Sequence, residues 1–213
     1  GRTFRNRRRV SALLMLLAAA LAFWWSLPSP PFRAPLASIL LTRDGELLGA
    51  RIASDEQWRF PPLQQVPEKF RAAVINYEDR RFAWHPGVDP LALVRAVALN
   101  LKHGQVVSGA STLSMQVIRL ARANPARTYF EKFIEMFLAV RLEAGYSKDE
   151  ILALYTNHAP FGGNVVGLEA ASWRYFGRAP DKLSWAENAT LAVLPNSPAL
   201  IHPGRNRASL RAK

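Results

Sequence analysis

The sequence predicts a mainly α-helical domain set behind one N-terminal transmembrane helix. Three observations lead there: an apolar run of 18 residues behind a cluster of arginines, helical periodicity through most of the chain after Glu68, and three capping boxes that mark helix starts. Hydrophobic residues make up 49% of the 213 and charged residues 21%, enough to build a real core. Cysteine is absent, which excludes disulfide staples, thiolate zinc sites and a cysteine nucleophile. The formal net charge of +12 suits a partner that is acidic, such as nucleic acid, anionic lipid or a phosphorylated substrate.

Five of the positive charges, on Arg2, Arg5, Arg7, Arg8 and Arg9, fall within the first ten residues. Residues 1–9 are therefore read as a basic cytoplasmic tail. Val10 to Leu27 contains no ionisable residue. At 1.5 Å per residue it spans roughly 27 Å, enough to cross the hydrocarbon core. Trp24 and Trp25 suit the far interface, so everything after Pro28 is expected outside the cytoplasm. A cleavable signal peptide is the alternative, but two tryptophans and Pro28-Ser29-Pro30-Pro31 stand where a small-x-small cleavage site would be.

Residues 28–50 read as a proline-rich linker and a short β-hairpin. Ser38 to Thr42 and Leu47 to Ile52 are its strands, with Asp44-Gly45 at the turn. From residue 51 to 213 one domain is expected. Phe70, Ala73, Val74 and Tyr77 recur at helical spacing, Leu91 to Leu101 is apolar on nearly every face, and Thr112 to Arg122 and Thr128 to Glu143 are further helices. Thr128 with Glu131, Ser147 with Glu150 and Ser184 with Glu187 have capping-box spacing.

No histidine pair has metal-ligand spacing, and no P-loop or dinucleotide glycine pattern occurs. Three segments concentrate chemistry. Asn76 to Asp89 packs carboxylates, arginines, a histidine and aromatics at the end of an apolar helix, where desolvation and nearby cations act on an acid in opposite directions. Its bland reading is a solvated helix end, with Glu78 paired to Arg81 or Asp79 to Arg80. Ser108 to Arg119 sets small and hydroxyl residues at a helix start, with Gln116 and Arg119 on one face with Thr112. That suits a phosphate, as well as an ordinary capped helix. Glu131 to Glu135 adds Lys132 and Glu135 at i, i+3.

Taken in order, these segments resemble the peptidoglycan glycosyltransferases, glycosyltransferase family 51. The matching stretches are Glu78-Asp79-Arg80-Arg81-Phe82 through His85 and Gly87, Gly109 to Gln116, Lys132 with Glu135, and Ser147 to Asn157 continuing to Phe161-Gly162-Gly163. The resemblance implies a lysozyme-like, two-lobed helical fold with the stretch around Leu91 to Leu101 entering the membrane. It implies lipid II and a growing glycan strand as partners, inversion at C1, and release of undecaprenyl pyrophosphate on the periplasmic side of a bacterial cytoplasmic membrane. No nucleic acid partner is implied. A C-terminal transpeptidase domain and other cell-wall synthesis proteins are implied as associates. By position, Glu78 is the general base and Glu135 organises the leaving-group side. Asp79, Phe82, His85, Ser111, Thr112, Gln116, Arg119, Lys132 and Arg127 are substrate-binding, and a divalent cation, magnesium or manganese, accompanies the pyrophosphate. A glycan hydrolase and a non-enzymatic tethered scaffold are the rival readings. The chain departs from the family pattern at Glu131, where arginine is usual, at Met115 for glutamine, and at Arg119 for lysine; Arg127 is the candidate to replace the lost cation.

Overall fold

A computed structural model describes residues 2–196, excluding the side chains of residues 2–10 and Ala12. Its architecture is mainly α, as the periodicity predicts, with eight α-helices among the described residues. The first, α1 (Arg2–Trp25), begins earlier than expected and stops before the prolines. Arginine is a good helix former, so the backbone helix need not wait for the apolar run. Among the described residues no helix is long and apolar enough to cross a membrane. The side chains of the expected tail 1–9, and of Val10 and Ala12 within the expected span, lie outside that description, as do residues 197–213 of the expected domain.

The hairpin forms between β1 (Ser38–Leu41) and β2 (Leu47–Arg51), antiparallel, with Ser38 opposite Arg51. Gly45 turns it with φ +81°, where a side chain would be strained. A second sheet was not foreseen. It joins β3 (Trp58–Arg59), β4 (Pro160–Gly162) and β5 (Val165–Val166) in the order β3-β5-β4. Strands of two or three residues are too short to show an alternating pattern.

The helices that build the site follow. They are α2 (Glu68–Glu78), α3 (Pro90–His103), α4 (Leu113–Ala121), α5 (Tyr129–Glu143) and α6 (Lys148–His158), with α7 (Leu168–Phe176) and α8 (Trp185–Val193) closing the domain. Side-chain caps start five of them. Asp89 accepts from the N–H groups of Leu91 and Ala92, ahead of Pro90 at the first helical position. Thr112 and Thr128 cap α4 and α5. Ser147 and Ser184 form complete capping boxes with Glu150 and Glu187. The box expected at Thr128 is only half made: Thr128 accepts from the Glu131 N–H, but the Glu131 carboxylate turns away to Arg122.

The core gathers Phe70 and Val74 of α2, Leu113, Val117 and Ile118 of α4, Leu138 and Leu142 of α5, and Ile151, Leu152 and Tyr155 of α6. Gly87 is where the loop after α2 meets α5. Its φ is +97°, and a Cβ there would stand 2.6 Å from the carbonyl of Ala139. In contrast, α3 buries only Ala92 and Ala96 and leaves Val94 68% and Leu101 78% exposed. Tyr129, Phe130 and Phe133, at the start of α5, are exposed as well.

Candidate active site

Glu78 is the last residue of α2, and the chain leaves the helix at Asp79. One Glu78 oxygen accepts a hydrogen bond of 2.8 Å from the Gln116 amide on α4. Tyr155 of α6 is wholly buried nearby. Burial pushes its phenol well above the ordinary value, and the Glu78 and Tyr77 charges add to that shift.

Asp79 turns inward. The His85 Nε2 lies 3.0 Å from both of its oxygens, and one of these also accepts from the Leu113 N–H at 3.0 Å. Asp79 therefore ties the end of α2 to the start of α4. The Asp79–Arg80 pair of the bland reading does not form. Arg81 pairs with Asp89 at 2.8 Å, and Arg80 donates to the Asn76 carbonyl. Burial opposes ionisation of Asp89, but the Ala92 N–H and the Arg81 guanidinium outweigh it and hold its carboxyl below the usual range. The whole segment from Asp79 to Asp89 is closed on itself by these bonds.

Thr112 is buried, donating to the Gly87 carbonyl at 2.5 Å and accepting from the Met115 N–H. Its hydroxyl is thus committed to the fold. Met115 is buried in the core. The face shared by Thr112, Gln116 and Arg119 divides: Gln116 reaches Glu78, whereas Arg119 reaches Glu135 at 3.2 Å and the Pro125 carbonyl at 3.0 Å. The loop between α4 and α5 bends through Ala123 and Asn124, both left-handed at φ 56° and 54°. This turn sets α5 against α4.

Glu135, 2% exposed, sits between two cations. Arg119 holds one oxygen, and Lys132 holds the other at 2.9 Å while also donating to the Ser111 hydroxyl at 2.6 Å. Arg127 is exposed just ahead of α5. The residue that answers Glu131 is Arg122, in a tight ion pair.

Sequence reasoning missed a further set. Lys148, at the start of α6, donates to the His85 carbonyl and to Glu143, both at 2.7 Å, and stands 4.5 Å above the Phe82 ring. Ser114 donates to the same Glu143 oxygen at 2.5 Å. These residues join α4, α5 and α6 beneath the loop after Glu78. Their types carried the signal, but their pairing depends on tertiary packing.

Two carboxylates, each met by a residue of α4, with two cations gathered on one of them, lie where α2, α4 and α5 converge. The chain belongs to the transglycosylase family, whose model matches residues 44–213. Penicillin-binding protein 1C of Escherichia coli (strain K12) is 43% identical over 194 residues, covering 91% of this chain and 25% of that protein. Penicillin-binding protein 1A of Neisseria lactamica is 36% identical over 210 residues, covering 96% of this chain and 26% of that one. The crystal structure of penicillin-binding protein 1A from Haemophilus influenzae aligns at a TM-score of 0.41 and 19% identity, over 85% of this chain and 17% of that one. The family assignment rests on the sequence matches. The chain spans about a quarter of the length of the curated relatives it matches.

Proposed function

We propose that this chain is a peptidoglycan glycosyltransferase that polymerises lipid II into glycan strands with inversion at C1. The observation that carries the proposal is the convergence of α2, α4 and α5: Gln116 on Glu78, and Arg119 with Lys132 on Glu135. In this reading the acceptor's 4-hydroxyl attacks C1 of the growing chain, and Glu78 takes its proton as the new C–O bond forms. The bond from C1 to the pyrophosphate oxygen breaks, and its electron pair leaves with undecaprenyl pyrophosphate. In this reading Arg119, Lys132 and Arg127, with the Ser111 hydroxyl, meet that developing charge. Glu135 orients the first two by pairing with them. Asp79, Phe82, His85 and Thr112, all buried, hold the two helix ends that present Glu78 and Gln116.

The donor set does not suit a resident metal. The Glu135 oxygens are taken by cations, and no cluster of three metal-binding side chains exists among the described residues. A divalent cation would reach the site on the donor's own pyrophosphate.

A lysozyme-like cleft between two lobes is part of this reading. So is a single-pass anchor, with the domain on the periplasmic face of the cytoplasmic membrane. The exposed apolar side chains of α1, α3 and the start of α5 support it, since large apolar side chains left uncovered suit a membrane or a partner. A transpeptidase domain and other cell-wall synthesis proteins, implied by the resemblance to the family, remain its expected associates.

The test uses the chain in detergent with labelled lipid II, resolving products by length. The parent is expected to make long strands, and Glu78→Gln to lose at least about 10²-fold in rate. A parent that binds lipid II without polymerising it would sink the enzymatic reading.

A further inference from the structure

Where α1 meets the domain, its last turn is held by Arg141 of α5. The Arg141 Nε donates to the Trp24 carbonyl at 2.9 Å, and the guanidinium lies 4.0 Å from the centre of the Trp24 ring. Phe23 packs edge-on against Phe137, 5.4 Å away. Beside this joint lies a pocket of about 220 Å³, lined by Trp24, Leu27, Pro28, Ser29 and Tyr146 together with Arg141. It shares no residue with the site around Glu78 and Glu135.

The chemistry of this pocket is asymmetric. Arg141 is only 7% exposed, and its Nη1 has no hydrogen-bond partner. No carboxylate pairs with it among the described residues, and none lines the pocket. A buried guanidinium without an anion is costly, and planar pairing with a phosphate is what its fork fits. Gly145 covers Nη1 without a side chain: a Cβ there would come within 2.8 Å of it. The hydroxyls of Ser29 and Tyr146 both line the pocket and are hydrogen-bonded to each other at 3.3 Å, which leaves one of the two protons for a bound group. Leading away from the pocket along α1, Leu17, Leu21 and Trp24 share one exposed helical face at i, i+4 and i+7.

A phosphate seat at the foot of an apolar stripe has the form of an amphiphile. We infer that this pocket binds the phosphodiester headgroup of an anionic phospholipid, with Arg141 on the phosphate and an acyl chain along the Leu17–Leu21 face. The inference rests on the membrane reading of α1. With no acidic residue in its lining, the pocket selects a net-negative headgroup over a zwitterionic one. Bound there, the lipid locks α1 to α5, the helix that carries Lys132 and Glu135.

The test is native mass spectrometry of the whole chain, released from micelles of phosphatidylglycerol and phosphatidylcholine in equal amounts. One phosphatidylglycerol is expected to remain bound, with retention falling about tenfold in Arg141→Met. Ser29→Ala with Tyr146→Phe, which changes only two rim hydroxyls, is expected to lower retention a few-fold, and decides the matter should Arg141→Met fail to fold. Equal retention of both lipids, or unchanged retention in the variants, overturns the inference. Full competition by inorganic phosphate at millimolar concentration overturns the lipid as its ligand. Co-sedimentation with vesicles is scored separately. Its failure removes the anchor, whereas loss of lipid retention with co-sedimentation intact removes only this site.

Discussion

Glu78 and Glu135 are both acids at the junction with α4, yet their surroundings differ in kind. Glu135 is almost wholly buried, and Arg119 and Lys132 occupy its oxygens. Glu78 stands half-buried and accepts from the uncharged Gln116 amide. The difference separates an acid held by two cations from one met by an amide. In the proposed reaction Glu135 serves as a fixed negative post that aims the two cations, and the proton transfer is assigned to Glu78.

Neutralising each acid should break that comparison most sharply. Glu78→Gln is expected to abolish polymerisation while leaving stability within about 0.5 kcal/mol, because its amide still fits beside Gln116. Glu135→Gln should lose both. It leaves Arg119 and Lys132 facing a neutral group, at a cost of about 2–3 kcal/mol once the partial exposure of Lys132 is discounted. Denaturant titration alongside a lipid II assay checks both. Equal stability loss in the two variants would remove the distinction.

The contrast was only partly legible in the sequence. The helices were, because Thr112, Ser147 and Ser184 announce their starts and apolar periodicity follows each one. The start of α3 was not announced in this way, and its cap, Asp89 ahead of Pro90, emerges only from the structure. The segment around Glu78 stood out by composition, but its local pairing misled. Neighbours suggested Glu78 with Arg81 and Asp79 with Arg80, whereas Arg81 reaches eight residues on to Asp89 and Asp79 reaches His85 and the Leu113 N–H. Lys148 with Glu143 and Ser114 escaped notice for the same reason. Spacing along one helix reports i+3 and i+4 contacts, and says nothing of what a neighbouring helix brings.

A smaller effect separates the fold's acid sensitivity from that of the two acids. His158, at the end of α6, stacks on Phe32 with ring centroids 3.7 Å apart. Burial first, and the Arg59 charge second, lower its pKa to about 4 from an ordinary 6.5. The folded form resists a proton that the unfolded chain accepts. Stability is therefore complete above about pH 6.5 and declines as pH falls toward 4, by up to about 3 kcal/mol. Unfolding curves at pH 7 and pH 4.5 should show this slope in the parent and much less of it in His158→Gln. A slope that survives the substitution would hand the acid limb back to the carboxylates.

The smallest effect concerns Glu131, one turn before Glu135 on the same face of α5. The Arg122 ion pair neutralises it, with both side chains partly exposed. Such a pair contributes at most about 1 kcal/mol, so Arg122→Ala should hardly move the unfolding midpoint. It should instead leave an unpaired carboxylate beside Lys132 and Glu135, where a pyrophosphate is to bind. The KM for lipid II is then expected to rise a few-fold with kcat nearly unchanged, since ground-state and transition-state binding suffer alike. Arg122→Ala combined with Glu131→Ala should bring KM back toward the parent, because the repelling charge is gone. If the double variant binds as poorly as the single one, Arg122 itself contacts the donor. The cation that the family carries at position 131 would then be supplied from the end of α4.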